Sequence, residues 1–283
     1  MEIQKIGVAG CGAMGSGIAQ LCAQSGYQTI VLETNDELLD KGLELIKASL
    51  AKAVKREQIT NQDEKVISAR IKGTTNIKDF ADVDLVIESI IEDMEEKKRL
   101  FASLDDICDQ RTIFASNTSS LSIIEMASVT RRATHILGMH FMNPPIAMTL
   151  VELVRSIVTS EEVLSTTKSF VESLGKTMII SKDRPGFIIN SLLIPFLLDA
   201  TRALESGYAT KEDIDIGMEL GANHPMGPFK LMDFTGVDVL YRCANGMYNE
   251  LKDSRYAPPL LLKQMFLTGH HGRKTGKGFY EYK

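Results

Sequence analysis

His140 and Glu152 are the two residues in this sequence best suited to moving a proton. His140 closes an apolar run, Ile136 to His140, that reads as a strand. Glu152 lies in the next such run, Leu150 to Val154, beyond a loop that contains Pro144 and Pro145. If the two strands run side by side in opposite directions, the side chains meet across the pair. A carboxylate bonded to one imidazole nitrogen fixes the tautomer, leaves the other nitrogen to accept a proton, and stabilises the imidazolium that results. A hydrogen-bonded core histidine with an unrelated surface glutamate satisfies the same spacing, and spacing alone leaves both readings open.

A second chemistry is written near the start, in Gly10-Cys11-Gly12-Ala13-Met14-Gly15, a G-x-G-x-x-G pattern directly after the apolar positions Ile3, Ile6 and Val8. Gly10 permits a tight turn, Gly12 lets a pyrophosphate approach the backbone, and Gly15 allows the following helix to pack on the strand. The phosphates then rest on the N–H groups and positive dipole end of that helix. Glu33 ends the next strand, Gln28 to Leu32. It stands roughly 20 positions after the glycines, where an acid holds the adenine ribose hydroxyls and repels a 2′-phosphate. The expected cofactor is NAD rather than NADP; on the simpler alternative, Glu33 is only the polar end of a strand.

Positioning these groups takes an alternation of strands and helices. After Glu33 comes a helix with apolar positions Leu39, Leu43, Ile46, Leu50 and Ala53, whose other face carries Lys47, Lys52, Lys55 and Arg56, then a short helix near 64–69 and a strand near 71–75. That crossover is long, which predicts a helical pair standing off the sheet. Its basic face is either solvated surface or a seat for a phosphorylated handle. Strands at 84–89, 113–116, 136–140, 150–154 and 177–180 alternate with helices at 94–107, 121–127 and 161–174. Such alternation predicts a mainly parallel sheet covered on both faces.

Arg184-Pro185-Gly186 is a natural boundary, and beyond it the pattern is helical: 187–206, 211–220, a region from 227 to 249, and 258–268, with a glycine- and lysine-rich tail expected as a loop. The fold class is therefore α/β: an N-terminal Rossmann-type, doubly wound, mainly parallel sheet with a helical insertion, then an all-α C-terminal domain. The expected domains are 1–184 for the dinucleotide and 185–283 for substrate and subunit contact.

The 283 residues suffice for two domains, and a net charge of −5 encourages neither a nucleic-acid nor a membrane reading. The start leads straight into the first strand and no apolar run is long enough to span a bilayer, so a cytoplasmic protein is expected. Cysteines at 11, 22, 108 and 243 make no C-x-x-C or zinc spacing and read as reduced thiols. His270 and His271 have no nearby partner in sequence, and no metal is expected.

Several stretches carry a resemblance: Ser116-Asn117-Thr118-Ser119-Ser120-Leu121-Ser122-Ile123, Gly138-Met139-His140-Phe141-Met142-Asn143-Pro144-Pro145, Leu150-Val151-Glu152, Asp183-Arg184-Pro185-Gly186-Phe187-Ile188-Ile189-Asn190, and Gly227-Pro228-Phe229 with Asp233 and Gly236. Together with the terminal Lys274 to Tyr280 they closely resemble the short-chain L-3-hydroxyacyl-CoA dehydrogenases across essentially the whole chain, and within them the bacterial 3-hydroxybutyryl-CoA branch. The resemblance implies an NAD-dependent oxidoreductase interconverting acetoacetyl-CoA and 3-hydroxybutyryl-CoA, stand-alone and usually dimeric. It implies His140 and Glu152 as the catalytic pair, with Ser119 near substrate oxygen and nicotinamide and Asn190 on the first helix of the second domain.

For the cofactor the resemblance adds Glu92, Lys97, Asn117, Ser119, Asn143 and Lys274 to the glycine turn and Glu33, which replaces a frequent Asp. For coenzyme A it implies Ser49 and Arg56, with Lys52 and Lys55 beside them, and Ser119 and Asn190 at the acyl end. Two rival readings remain: a gulonate-type hydroxyacid dehydrogenase, which keeps the His–Glu pair, and a catalytically idle NAD-binding sensor or structural protein. The first is opposed by the CoA positions, and the second would be free to lose the four catalytic residues that this chain keeps.

Overall fold

The computed structural model describes residues 2–282 and divides into two compact units between Arg184 and Pro185. The first unit is built on β1 (Lys5–Ala9), β2 (Gln28–Leu32), β3 (Ile71–Thr74), β4 (Leu85–Glu88), β5 (Ile113–Ser116), β6 (Ile136–Phe141), β7 (Leu150–Arg155) and β8 (Thr177–Lys182). They form a single sheet in the order β3-β2-β1-β4-β5-β6-β7-β8. All neighbours are parallel except β6 and β7, which are antiparallel. Parallel strands covered on both faces read as continuous apolar runs. Accordingly Ile6, Val8, Leu85, Val86, Ile87, Phe114 and Leu137 are fully buried.

The helices α1 (Ala13–Gln24), α2 (Asp36–Lys55), α3 (Asn61–Ala69), α4 (Met94–Ile107), α5 (Ile123–Ala127) and α6 (Glu161–Ser173) complete this unit. α2 and α3 do not stand off the sheet as the long crossover suggests. Leu39, Ile46 and Leu50 of α2 and Ile67 of α3 join the strands in one apolar cluster, and α2 packs on α1 and β3. The reason is visible in the stripe itself: each large apolar side chain buried contributes about 1.5–3 kcal/mol, which no solvated arrangement of the pair would recover. Among the described residues no helix is long and apolar enough to cross a membrane, and no group of His, Cys, Asp or Glu is placed to hold a metal ion.

The second unit consists of α7 (Ile189–Glu205), α8 (Lys211–Ile216), α9 (Pro228–Thr235), α10 (Val237–Leu251) and α11 (Leu260–Leu267) around a core of Leu197, Leu198, Phe229, Met232, Leu240 and Met247. The 227–249 region is two helices, because Gly236 takes φ +106° and breaks the path. Pro195 lies inside α7 and has no N–H for the Ser191 carbonyl one turn back; the Tyr256 hydroxyl donates to that oxygen instead, at 3.2 Å. The glycine-rich tail contains a short 3-10 turn, Arg273–Thr275. The buried Asp233 carboxylate holds the residues after that turn, accepting the N–H groups of Phe279 and Tyr280 at 2.8 Å each and the Tyr282 hydroxyl at 2.9 Å.

Candidate active site

The reversal at β6 and β7 places His140 directly opposite Glu152 in the ladder. Opposed residues share a face of the sheet. His140 Nδ1 lies 2.8 Å from Glu152 Oε2, and Glu152 is 0 % exposed. The glutamate is therefore no surface residue: Val151, Leu153 and Val154 bury the strand that carries it. An ionised carboxylate only accepts, so Nδ1 holds the proton of this bond and Nε2 is the basic nitrogen of the neutral ring. The connecting turn, with a cis Asn143–Pro144 bond, is held by Lys176, whose ammonium donates to the carbonyls of Pro145 (2.9 Å), Ile146 (3.4 Å) and Met148 (2.7 Å). Burial draws the Lys176 ammonium below its ordinary value.

β1, β4, β5 and β6 all end on this edge of the sheet, where open α/β sheets bind ligands. At the end of β1, Gly10 takes φ +95° and a side chain there would strike the Ser89 carbonyl; a Cβ on Gly15 would run into the carbonyl of Gly10. Gly12, by contrast, faces open space. It caps α1, which has no side-chain cap and no acid in its first turn, so the N–H groups of Ala13 and Met14 are presented to an anion. Glu33 accepts the Cys11 N–H at 2.7 Å and the Thr34 N–H at 3.1 Å. Burial, aided by the Glu33 carboxylate, pushes the Cys11 thiol up to about 12, which makes it inert at neutral pH.

Beside Glu33 a cleft of about 320 Å³ is walled by Ala9, Leu32, Ile77, Ile90 and Leu100. A glycine cradle for a pyrophosphate, a carboxylate for ribose hydroxyls and an apolar slot for an adenine together fit a dinucleotide without a 2′-phosphate.

Ser119 follows β5 and is half-buried; its N–H donates to Glu92 Oε1 at 3.1 Å. Asn117 Oδ1 accepts the Phe141 N–H at 2.9 Å, tying this turn to the strand end that carries His140. Asn143 is exposed in the β6–β7 turn and Glu92 is exposed at the head of α4. Lys97 is different. It is 1 % exposed and its ammonium sits 2.5 Å from Glu88 and 3.4 Å from Glu92.

Ser49, Lys52, Lys55 and Arg56 lie in the last turns of α2 and at its C-cap, the three cations exposed and Ser49 half-buried. Among the described residues none of those cations has a carboxylate within ion-pairing distance, so the face is an uncompensated basic one. In the second unit Asn190 is half-buried in the first turn of α7, and Lys274 pairs with Asp238 at 2.6 Å. Burial favours the neutral Asp238, but the Lys274 ammonium outweighs it and holds the carboxyl below its usual range.

Sequence reasoning missed Glu88, Ser116, Thr118 and Lys176, which frame the site. For the first a signal existed: Glu88 ends the wholly apolar run Leu85-Val86-Ile87, and Lys97 shares the inward stripe of α4 with Phe101 and Leu104, at i, i+4 and i+7.

Residues 5–184 match the family described as 3-hydroxyacyl-CoA dehydrogenase, NAD binding domain, and residues 186–282 match the 3-hydroxyacyl-CoA dehydrogenase, C-terminal domain. The chain is 42 % identical over 282 residues to a 3-hydroxybutyryl-CoA dehydrogenase of Mycobacterium tuberculosis, covering 99 % of each. It is 38 % identical over 288 residues to the mitochondrial hydroxyacyl-coenzyme A dehydrogenase of Homo sapiens, covering 99 % of this chain and 92 % of that one. The crystal structure of (S)-3-hydroxybutyryl-CoA dehydrogenase from Ralstonia eutropha superposes with a TM-score of 0.95 at 40 % identity, covering 100 % of both chains.

Proposed function

The chain belongs to the 3-hydroxyacyl-CoA dehydrogenase family and is an NAD-dependent oxidoreductase, and on that premise we propose that it interconverts acetoacetyl-CoA and (S)-3-hydroxybutyryl-CoA with His140 as the acid and base. The observation that carries this reading is the 2.8 Å bond between His140 Nδ1 and a wholly buried Glu152 at the carboxyl edge of the sheet.

When bound, the nicotinamide exchanges a hydride with C3 of the substrate. In oxidation His140 Nε2 takes the proton of the 3-hydroxyl, and the ring becomes an imidazolium held against Glu152. In reduction the same nitrogen returns a proton to the forming alkoxide. Glu152 favours the charged ring in both directions, and its bond keeps the imidazole in the tautomer that acts. Ser119 orients the substrate oxygen by its hydroxyl. The glycine turn binds the pyrophosphate, Glu33 holds the adenosine ribose, and Glu92, Asn117, Asn143 and Lys274 complete the cofactor positions. Lys52, Lys55 and Arg56, with Ser49, receive the phosphates of coenzyme A; their exposure and lack of carboxylate partners support that role.

The domain assignment, 1–184 for cofactor and 185–283 for substrate and subunit contact, belongs to the same proposal, as do a cytoplasmic location and a homodimer. Large exposed apolar side chains on the second unit, Leu192, Leu220, Phe234 and Leu267 among them, support subunit contact there. Light scattering on the purified protein tests the dimer; a monomeric mass at micromolar concentration refutes it.

The activity is tested by NADH oxidation with acetoacetyl-CoA, set against free acetoacetate and against NADPH. Turnover confined to the thioester with NADH supports the reading. NADH binding without turnover of the thioester sinks it in favour of a gulonate-type or non-catalytic protein.

A further inference from the structure

The turn between β6 and β7 is held by a side chain from another corner of the sheet. Lys176 stands between α6 and β8, where its N–H donates to the Val171 carbonyl at 3.3 Å and the N–H of the next residue, Thr177, donates to the Thr149 carbonyl at 2.8 Å. From that fixed backbone its ammonium meets the carbonyls of Pro145 at 2.9 Å, Ile146 at 3.4 Å and Met148 at 2.7 Å. An ammonium has three donors and no acceptor, so three converging carbonyls match it in full. The Pro144 carbonyl accepts the N–H groups of Ala147 at 3.1 Å and Met148 at 3.0 Å, which makes residues 144–148 one hydrogen-bonded unit. Another side of the unit rests on α1: Pro145 is buried, and a Cβ on Gly17 would lie 3.0 Å from the proline Cδ.

We propose that Lys176 is a positioning residue for the cofactor site, acting through the 144–148 unit on Asn143. The inference rests on the reading of Asn143 as a cofactor residue. Asn143 is exposed and its side chain has no hydrogen-bond partner among the described residues, so the backbone on either side sets its place. On one side Phe141 is fixed, opposite Val151 in the ladder and donating its N–H to Asn117 Oδ1 at 2.9 Å. On the other, the unit begins at the very next residue, Pro144, and its seat is the Lys176 ammonium together with the bare backbone of the helix that the glycine turn opens. Met142 and Asn143 alone lie between these anchors, so a shift of the unit is carried to Asn143. His140 and Glu152 are held in register by the strand ladder, and the basic end of α2 makes none of these contacts. The effect therefore falls on the cofactor rather than on the coenzyme A handle.

The test measures NADH affinity by fluorescence titration and the KM for acetoacetyl-CoA in Asn143→Ala, Lys176→Met, Lys176→Gln and the Asn143→Ala/Lys176→Met double variant, with thermal unfolding to show that each is folded. Asn143→Ala should weaken NADH binding about tenfold, the size of one lost hydrogen bond. Lys176→Met leaves the three carbonyls without their donor and should weaken it about 3- to 10-fold, with the KM for acetoacetyl-CoA within about twofold of wild type. Lys176→Gln keeps two N–H donors and should fall between wild type and Lys176→Met. Because both residues act at one contact, the double variant should lose no more than about twofold beyond Asn143→Ala alone. If Asn143→Ala weakens NADH binding while Lys176→Met and Lys176→Gln bind it as wild type does, Lys176 secures only the corner, and the proposal fails while the reading of Asn143 stands. Losses that multiply in the double variant place the effect of Lys176 elsewhere and overturn the proposal as well. If Asn143→Ala binds NADH as tightly as wild type, the reading of Asn143 falls first and the inference goes with it. Should Lys176→Met not fold, Lys176→Gln takes its place in the double variant and the same results decide.

Discussion

Replacing Glu152 with Gln removes a charge and leaves the shape. In the wild type the carboxylate is 2.8 Å from His140 Nδ1 in a site without solvent exposure at Glu152. Charge centres of such a pair lie about 4 Å apart, and at an effective dielectric constant of about 20 their attraction is about 4 kcal/mol. That is the advantage the imidazolium loses, equivalent to about 1000-fold at most. Gln still accepts a hydrogen bond from Nδ1–H, so part of the orientation survives, and we expect kcat to fall about 100- to 1000-fold.

Gln keeps the shape and the hydrogen-bond acceptor at this buried position, so the thermal unfolding of the variant should change little. The assay is steady-state NADH oxidation with acetoacetyl-CoA from pH 5 to pH 9. Reduction starts from the imidazolium, which is harder to form without the carboxylate, so the alkaline fall of the rate should move to lower pH. A variant with near wild-type kcat and an unmoved profile would refute the electrostatic role of Glu152.

Glu33→Ser removes the acceptor that holds the ribose, so the KM for NADH should rise about tenfold or more while the preference over NADPH narrows; unchanged selectivity in paired titrations would show that the glutamate is not the selector. Replacing Lys52, Lys55 and Arg56 together with Ala should raise the KM for acetoacetyl-CoA by about tenfold at low salt, less at high salt, with NADH affinity untouched; a salt-independent KM equal to wild type would move the coenzyme A site elsewhere. Burial raises the Asp105 carboxyl, but the Arg131 N–H and the Arg132 guanidinium more than offset this and hold it below the usual carboxylate range. Its contribution to stability is therefore complete above the unfolded-state value and lost as pH falls through the lower folded one. Urea unfolding should show a smaller acid loss in Asp105→Asn than in wild type, and Arg132→Met, which leaves Asp105 with Arg131 alone and takes a donor from the Cys108 carbonyl, should cost about 1–3 kcal/mol at pH 7.

The sequence made the strands legible because most are short apolar runs bounded by turn residues, and the parallel sheet followed from their alternation with helices. The meeting of His140 and Glu152 was legible only conditionally, since it required β7 to run against β6, and the side chain that holds the connecting turn, Lys176, comes from a segment about 30 residues away. The burial of Glu88 and Lys97 was legible in part, from the apolar run that ends at Glu88 and the inward stripe that Lys97 shares, but their pairing was not, since it joins β4 to α4 and charged residues in a sequence read as surface until a partner in space neutralises them. The placement of α2 was misjudged because crossover length suggests an excursion, whereas the stripe at Leu39, Ile46 and Leu50 governs where the helix packs.

The most direct measurement is kcat for His140→Gln with acetoacetyl-CoA and NADH, alongside NADH affinity. The account predicts a loss of about 100- to 10,000-fold or more with cofactor affinity unchanged. A variant that turns over the thioester at near wild-type rate would contradict it, because the proton would then be moving through another group.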